Sequence, residues 1–515
     1  MATSMTIPPR AKSRRSAAAF VSLALLGSLA SLAAGCSKSA ERPERKAVGA
    51  AVWVSSSSEA LQPNIVSKLK EAGVEEVFLQ AARFDAASGE VTPTAEQLSL
   101  PGALSCTIAI SGGFKGAGDP AALADKLIAA FRSLQSKIEQ EDTLVVGLHL
   151  DFTAVESFEA YGQLLKELRG RLSGKLFLSI TVQRAWLGND LLKPVLDHVD
   201  FFVPFLFGQR IDEREEAGAW DLATIERSLR TADSLGRPYL LGVIDLGTAT
   251  WTNEAGNVKE RVTRISMKDL VRNQGLQLRP GFSLEGTNRR VYTFEAQRPT
   301  QVAGWSVAAG DSIRIVRVAA SDLEELLRRL DLWANPNRIG QLYYRIPHSE
   351  ERLSFGAESL ASALKLDSKS LDLTCEVAVQ RRTGRGWLVR FSLINNSGGF
   401  SELALLDNNY LEARIESGYF GGNASAGDFQ RYDLLKETGG KRERTFRSPD
   451  ILRLYAPMLE GQQQVVSGDI EVITSSAPTF RITGNFLLPE GKDLTIGPFI
   501  YKNGVLEKIP STPTE

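Results

Sequence analysis

The sequence predicts a (βα)8 barrel followed by an all-β sandwich. From Val48 onward, short apolar runs alternate with amphipathic helical segments, a pattern that favours a parallel sheet covered by helices. After Pro347 the runs become β-like and are separated by Gly, Asn and Ser turns, as is typical of a sandwich. The predicted order is therefore a barrel at 48–350 and a sandwich at 366–510, and no helix is expected after Pro347.

Eight apolar runs are candidate barrel strands. They lie at 49–54, 76–84, 104–110, 143–152, 175–182, 200–207, 238–246 and 339–346. This number of units favours a closed barrel over an open doubly wound sheet. The absence of a GxGxxG motif after the first run also argues against a dinucleotide-binding fold.

Several helices between these runs carry clear start and stop signals. Asp119-Pro120 predicts an N-cap with proline at the first helical position. Ser321 and Glu324 have the spacing of a capping box, and Gly236 predicts the end of another helix. The segment after the second strand carries only a weak helix signal.

A long insertion, about 247–317, separates the seventh and eighth candidate strands. Its runs at 290–294 and 312–318 alternate like two paired antiparallel strands. Insertions at the carboxyl ends of barrel strands usually shape a substrate site, so we expect this one to do the same. In the sandwich the candidate strands are 371–379, 387–393, 412–415, 464–466, 470–473 and 480–486.

The first 35 residues have the pattern of a secretory signal peptide. A basic start from Arg10 to Arg15 precedes an apolar run at 17–34, which ends in Leu32-Ala33-Ala34-Gly35-Cys36. This ending resembles the bacterial lipobox, which implies cleavage before Cys36 and a lipid on its thiol. Residues 36–47 are then a tether. Ser37 is not Asp, which by the rule for lipoproteins implies the outer membrane in a host that has one. The alternative is an uncleaved transmembrane anchor, for which the run is barely long enough.

Composition excludes several classes of function. The net charge is -1 and becomes more negative once the basic leader is removed, which argues against nucleic-acid binding. With three His and no HExxH or CxxC motif, the sequence predicts no metal and no cofactor. Cys106 and Cys375 lie in apolar runs and are predicted to be small buried hydrophobes.

The fourth candidate strand carries the strongest functional signal. Its sequence is Gly147-Leu-His149-Leu-Asp151-Phe-Thr153, in which small or polar residues alternate with large apolar ones. The side of a barrel strand that faces the helices is apolar, so His149 and Asp151 are expected to face the barrel interior. Asp151 is then near the carboxyl end of the strand, where barrel enzymes keep catalytic groups.

This strand resembles the strand-four signature of chitinase-type glycoside hydrolases. It is more similar still to a family of exported bacterial barrel proteins of unknown function, with a Gly-x-Gln-x-Asp-Tyr/Phe-Asp strand, and the resemblance covers roughly 48–350. It implies a barrel that acts on or binds glycans. Asp151 matches the central inward acid, His149 stands in place of another acid, and Thr153 replaces the proton-donating glutamate.

Glycoside hydrolysis generally requires two carboxyl groups about 5–9 Å apart. Asp245, at the end of the seventh candidate strand, is the predicted partner of Asp151, and Glu156 and Asp85 are weaker candidates. The residues expected to contact substrate lie at or just after the ends of other strands, except for His149, which is in the fourth strand itself. They are Gln183, Trp186, Phe207, Arg345 and His149. For His149, a hydrogen-bonded core histidine is the simpler interpretation.

Two functions remain open from the sequence. One is an envelope lipoprotein whose barrel binds or hydrolyses a polysaccharide or a peptidoglycan-derived glycan. The other is a non-catalytic scaffold for binding or assembly, because a barrel fold alone does not determine function. A hydrolase predicts two carboxylates in one cleft, whereas a scaffold predicts a blocked barrel mouth or an ion pair at Asp151, for which Arg345 is a candidate.

Overall fold

A computed structural model shows the architecture of the chain. It describes residues 48–55, 63–94, 104–116, 118–140, 142–205, 222–244, 247–283, 290–317, 320–346, 353, 356–366, 371–382, 384, 386–397, 399–403, 407–456, 458–461, 463–488 and 492–509. These residues belong to one compact unit spanning Arg42–Glu515. The predicted signal peptide, Cys36 and the predicted tether lie outside the described residues.

The described residues contain a closed barrel of eight parallel strands. In chain order the strands are Ala50–Ser55, Val74–Asp85, Ser105–Phe114, Val145–Val155, Phe177–Gln183, Phe201–Phe205, Tyr239–Ile244 and Arg338–Ile346. The first strand closes the barrel because it pairs with both the second and the eighth, as at Val52↔Val77 and Ala51↔Leu342. The predicted barrel is therefore confirmed.

The described helices include seven around the barrel and one in the insertion. They are α1 Pro63–Glu71, α2 Pro120–Glu139, α3 Phe158–Arg171, α4 Leu192–Leu196, α5 Leu222–Ser234, α6 Met267–Arg272, α7 Ala320–Leu332 and α8 Ala357–Leu364. Asp119 caps α2 as predicted, since its carboxylate accepts hydrogen bonds from the amides of Ala121 and Ala122. Within the described part of the chain, no helix has both the length and the apolar character needed to cross a bilayer.

Helix α8 corrects the expectation that no helix follows Pro347. It packs against α7 and α1 and contributes Leu360 and Ala361 to the barrel core. It therefore belongs to the barrel's outer layer, although it lies beyond the predicted barrel boundary at residue 350. The helix has only eight residues, too few for a strong helical period in the sequence.

A β-hairpin follows the second barrel strand. This strand continues past the barrel rim to Asp85 and pairs antiparallel with Glu90–Pro93, as at Phe84↔Val91. The segment with the weak helix signal after the second strand thus forms a strand in its described part, which ends at Thr94. Residues 95–103 lie outside the described residues. The hairpin raises one wall at the carboxyl end of the barrel.

The insertion forms its own antiparallel sheet. Its strands, in spatial order, are Val258–Val262, Thr248–Thr252, Ser312–Arg317, Arg290–Ala296 and Leu276–Ser283. The predicted antiparallel pairing is confirmed, for example at Tyr292↔Ile315. Along the chain, a small hairpin of Thr300–Val302 and Trp305–Val307 lies between the strands Arg290–Ala296 and Ser312–Arg317. Phe400, Leu403 and Met458 share the core of the insertion, so it packs against the C-terminal domain.

The C-terminal domain is a sandwich of two antiparallel sheets, as predicted. One contains Leu373–Arg381, Gly386–Asn395, Ile470–Ile473 and Tyr419–Ala424, with Gln464–Val466 beside the second of these. The other contains Lys441–Arg444, Arg431–Thr438, Ile451–Tyr455, Tyr410–Ile415, Phe480–Leu487, Asp493–Lys502 and Val505–Lys508. The sheets meet where Phe480 contacts Phe391 and Phe420, with ring centroids 5.4 and 6.0 Å away.

Candidate functional site

The alternation of the fourth barrel strand places its residues as the sequence predicts. Leu148, Leu150 and Phe152 are buried, and the Phe152 ring lies 5.8 Å from Tyr161 on helix α3. His149 points the other way, because its ring contacts Trp53 and Phe78 of the first and second strands. The interior side of this strand therefore carries an imidazole and, two residues later, a carboxylate.

Asp151 is a buried acid that is held by hydroxyl groups. Its side chain accepts hydrogen bonds from Thr181 Oγ1 at 2.8 Å and from Ser111 Oγ at 3.0 Å. Burial raises the pKa of Asp151 above its ordinary value, and the two hydroxyl hydrogen bonds oppose this increase only in part. A perturbed carboxyl group in a cleft is typical of a functional site.

Asp151 lines an open cleft of about 690 Å³ at the carboxyl ends of the barrel strands. The walls come from the second, third, fourth and eighth strands and from the hairpin that extends the second. The lining residues are Gln80, Arg83, Phe84, Asp85, Ala86, Ser111, Gly112, Gly113, Asp151, Thr153, Ala154 and Tyr344. The size is that of a small-molecule site, and more than half of the lining residues are polar or charged; the half-buried ring of Tyr344 is also part of the lining.

A second acid, Asp85, lines the same cleft. Its carboxylate accepts hydrogen bonds from the Ala87 amide and the Ser88 hydroxyl, at 3.0 and 2.8 Å. These bonds lower the pKa of Asp85, whereas burial raises that of Asp151. The cleft thus contains two carboxyl groups whose pKa values are shifted in opposite directions, an arrangement that can separate an acid from a base.

The lining of the cleft does not include the other described residues that the sequence predicts for the site. His149 has 0% exposure and is behind Asp151, as expected for a hydrogen-bonded core histidine. Gln183 ends the fifth strand, and Trp186 packs edge-on against Phe158 with centroids 5.5 Å apart. Arg345 is half-buried and follows Tyr344, which lines the cleft.

Of the remaining predictions for the site, two concern residues that the structure does not describe, and two concern parts of the chain that lie outside the lining of the cleft. Asp245 and Phe207 lie outside the described residues, so their predicted roles stay predictions. Glu156 is exposed at the end of the fourth strand, and the lining of the cleft does not include it. The cleft lining also contains no residue of the described insertion, although we expected the insertion to shape the site.

Thr181, Ser111, Tyr344 and Arg83 are site residues that the sequence analysis did not identify. Thr181 belongs to an alternating run, Leu178-Ser179-Ile180-Thr181, in which the two hydroxyl residues share one side. This alternation was a usable signal for Thr181. Ser111 reaches Asp151, and Tyr344 reaches the same cleft, only through the pairing and closure of the barrel strands.

The described residues contain no group of three or more His, Cys, Asp or Glu side chains arranged to hold a metal ion. Cys106 and Cys375 are buried and form no disulfide, which confirms their prediction as small core residues. Burial raises the pKa of the Cys375 thiol to about 12, which favours its neutral form.

Comparison with known proteins gives only distant similarity. No protein-family model matches the sequence, and no curated protein matches it either. Among solved structures, the chain is similar to the spore cortex-lytic enzyme of Bacillus cereus, with a TM-score of 0.41, 14% identity and coverage of 63% of this chain and 75% of that one. A chitinase of Chromobacterium violaceum matches with a TM-score of 0.40 and 15% identity, over 63% of this chain and 100% of that one. A putative sporulation-specific glycosylase of Bacillus subtilis matches with a TM-score of 0.35 and 12% identity, over 50% of this chain and 86% of that one. Similarity this low does not extend to activity.

Proposed function

We propose that this chain is a lipid-anchored protein of the cell envelope whose barrel binds a polysaccharide or a peptidoglycan-derived glycan. The observation that carries the proposal is Asp151, a buried acid with a raised pKa that lines an open cleft at the carboxyl ends of the barrel strands. Burial is unfavourable for the charged form of such a group. A ligand that donates hydrogen bonds to the carboxylate offsets this cost, which favours binding of the ligand in the cleft.

The groups in the cleft suit a sugar. A carboxylate offers about four acceptor sites, and the hydroxyls of Thr181 and Ser111 occupy one on each oxygen of Asp151. Sugar hydroxyls can donate to the others. Arg83 and Gln80 add donors on the wall, and the half-buried ring of Tyr344 offers an apolar face of the kind that packs against a sugar ring.

The proposed anchor limits which glycans the cleft can reach. A lipid on Cys36 would connect to the barrel through residues 37–47, a segment that spans at most roughly 40 Å when extended. The barrel would then lie close to a membrane, outside the cytoplasm. Ser37 favours the outer membrane, so envelope polysaccharides and peptidoglycan fragments are the accessible ligands.

Hydrolysis of the glycan is the second candidate function, and Asp85 is the observation that favours it. Asp85 and Asp151 line one cleft, and their pKa values are shifted in opposite directions. This is the division between an ionised carboxylate and a protonated acid that glycosidic cleavage requires. Thr153 cannot donate a proton as the chitinase-type glutamate does, so cleavage would depend on these two acids.

A glycan panel tests both functions. Soluble oligosaccharides and peptidoglycan fragments are titrated against wild type, Asp151→Asn and, as a matched control, Asp331→Asn on the exposed surface of α7. We expect Asp151→Asn to weaken binding by about tenfold or more, the effect of losing one hydrogen bond to a charged group. The control should bind like wild type. Equal binding by wild type and Asp151→Asn contradicts the proposal.

The same panel is assayed for new reducing ends. If the barrel hydrolyses a glycan, Asp151→Asn and Asp85→Asn should each reduce the rate by about 10²-fold or more. Binding without cleavage by wild type supports the binding function alone. Cleavage that survives in Asp151→Asn removes Asp151 from the mechanism.

A further inference from the structure

One hydroxyl group connects His149 to Asp151. The Nε2 atom of His149 is 3.0 Å from Thr181 Oγ1, and the same oxygen is 2.8 Å from an oxygen of Asp151. On the other side of the ring, Nδ1 is 2.9 Å from Ser179 Oγ. The imidazole therefore lies in a continuous hydrogen-bonded chain that ends at the carboxylate in the cleft.

The number of protons in this chain determines the direction of each hydrogen bond. The Thr181 hydroxyl has a single proton, and it donates this proton to the carboxylate of Asp151. Thr181 Oγ1 must then accept from Nε2–H of His149. In a neutral imidazole that is protonated on Nε2, Nδ1 is an acceptor, and the Ser179 hydroxyl donates to it. When Asp151 is ionised, this arrangement of hydrogen bonds therefore requires the tautomer of His149 that carries its proton on Nε2.

Aromatic neighbours hold the ring in this orientation. Trp53 and Phe78 contact the imidazole nearly at right angles, with ring centroids 5.7 and 5.3 Å away. The side chain has 0% exposure, so solvent does not compete for its two nitrogen atoms. The ring is placed too deep to contact a ligand in the cleft directly, and its effect on the cleft passes through Thr181.

We propose that His149 is a positioning residue for Asp151. Its Nε2–H donates to Thr181, which orients the Thr181 hydroxyl toward the carboxylate and holds the carboxylate in the conformation that faces the cleft. The proposal deepens the proposed function, because it assigns the glycan-binding acid a support that acts from inside the barrel. The tautomer itself does not depend on which ligand the cleft takes.

The tautomer is directly measurable. The chain contains only three His, so selective ¹⁵N-histidine labelling gives a simple spectrum, and the His149 signals are those absent from His149→Gln. Because Thr181 Oγ1 donates to Asp151 and must accept from the ring, we expect a proton on Nε2 in the full chain. A proton on Nδ1 with a bare Nε2 overturns the proposal.

Two variants of Thr181 test the effect on the cleft. Thr181→Val is nearly isosteric and removes the bridging hydroxyl, whereas Thr181→Ser keeps it. Using the oligosaccharide that wild type binds best in the panel, we expect Thr181→Val to weaken binding about tenfold and Thr181→Ser to bind like wild type. Since both variants alter packing at the same position, only the hydroxyl explains such a difference.

The outcomes separate this inference from the proposed function. If wild type binds glycan and the two variants bind equally well, the positioning role is wrong while the glycan function stands. If no glycan binds but the Nε2–H tautomer is present in wild type and lost in Thr181→Val, the proposed function fails and the link between His149 and Thr181 stands.

Discussion

Two acids, one in each domain, are buried to almost the same degree. Asp151 in the barrel is 5% exposed and Glu412 in the sandwich is 7% exposed. Glu412 accepts from Arg453 Nε at 2.9 Å and from Arg442 at 3.1 Å, and the Arg453 guanidinium also lies 4.3 Å from the Tyr410 ring centroid. Asp151 instead accepts from two hydroxyls, at 2.8 and 3.0 Å.

The difference in partners indicates a difference in role. Arginines neutralise the charge of Glu412, so this acid links three strands of one sheet and is part of the structure. Hydroxyls orient Asp151 without neutralising it, and burial raises its pKa. An acid that is oriented but not neutralised, beside an open cleft, retains its capacity to interact with a ligand.

The largest expected effect on stability is at Glu412. Glu412→Gln keeps the shape of the side chain but leaves Arg453 and Arg442 without their countercharge. Removal of one partner from a fully buried ion pair costs about 3–5 kcal/mol, and partial exposure of the arginines reduces this to about 2 kcal/mol in the free energy of unfolding. Urea unfolding measures the change.

The matched control for this variant is Glu443→Gln, in the fully exposed strand Lys441–Arg444. It should change the free energy of unfolding by less than about 0.5 kcal/mol. If Glu412→Gln is as stable as the control, the arginines do not make Glu412 a structural anchor, and the contrast with Asp151 fails.

The same type of substitution at Asp151 is expected to have the opposite sign. Because burial raises the pKa of Asp151, the folded state binds a proton more tightly than the unfolded state. The free energy of unfolding of wild type therefore falls as the pH rises from the ordinary carboxyl value of 3.8 through the folded-state pKa. Asp151→Asn lacks this decrease, so it should be at least as stable as wild type at neutral pH.

Thermal unfolding of both proteins between pH 3.5 and pH 8 measures this difference. The advantage of Asp151→Asn should shrink as the pH falls, because wild type then carries a neutral acid at the same position. A variant that is less stable than wild type at neutral pH, with the same pH dependence, would show that the charge of Asp151 stabilises the fold as that of Glu412 does.

Local patterns in the sequence were sufficient for the barrel and for the orientation of its fourth strand. Alternation with period two separates His149 and Asp151 from Leu148 and Leu150, and only one side of a barrel strand faces the helices. The Asp119 helix cap followed from a similarly local rule, whereas the third and fourth barrel strands extend to Phe114 and Val155, beyond their predicted ends at 110 and 152. These features depend on residues that are close in the chain.

The partners of Asp151 depend on contacts between distant segments. Ser111 is directly opposite Asp151, and Ser179 is opposite His149, because of the register between parallel strands. That register is set by the closure of the whole barrel and not by any single strand. Sequence alternation indicated that Thr181 shares a side with Ser179, but not that this side meets the fourth strand at Asp151.

The insertion shows the same limit at a larger scale. Its antiparallel pairing was visible in the sequence, but its packing partner was not. Arg317 at the end of one insertion strand lies 3.7 Å from Glu460 of the sandwich, and Phe400 packs at 4.1 Å from the same guanidinium. The insertion thus connects two domains through residues more than 80 positions apart.

The most direct test of the account is a crystal structure of the wild-type protein soaked with the best-binding oligosaccharide from the panel. The account predicts a sugar in the cleft of about 690 Å³, with a hydroxyl within hydrogen-bond distance of Asp151 and a ring against Tyr344. A sugar bound elsewhere on the barrel or on the sandwich, with an empty cleft at Asp151, would contradict it.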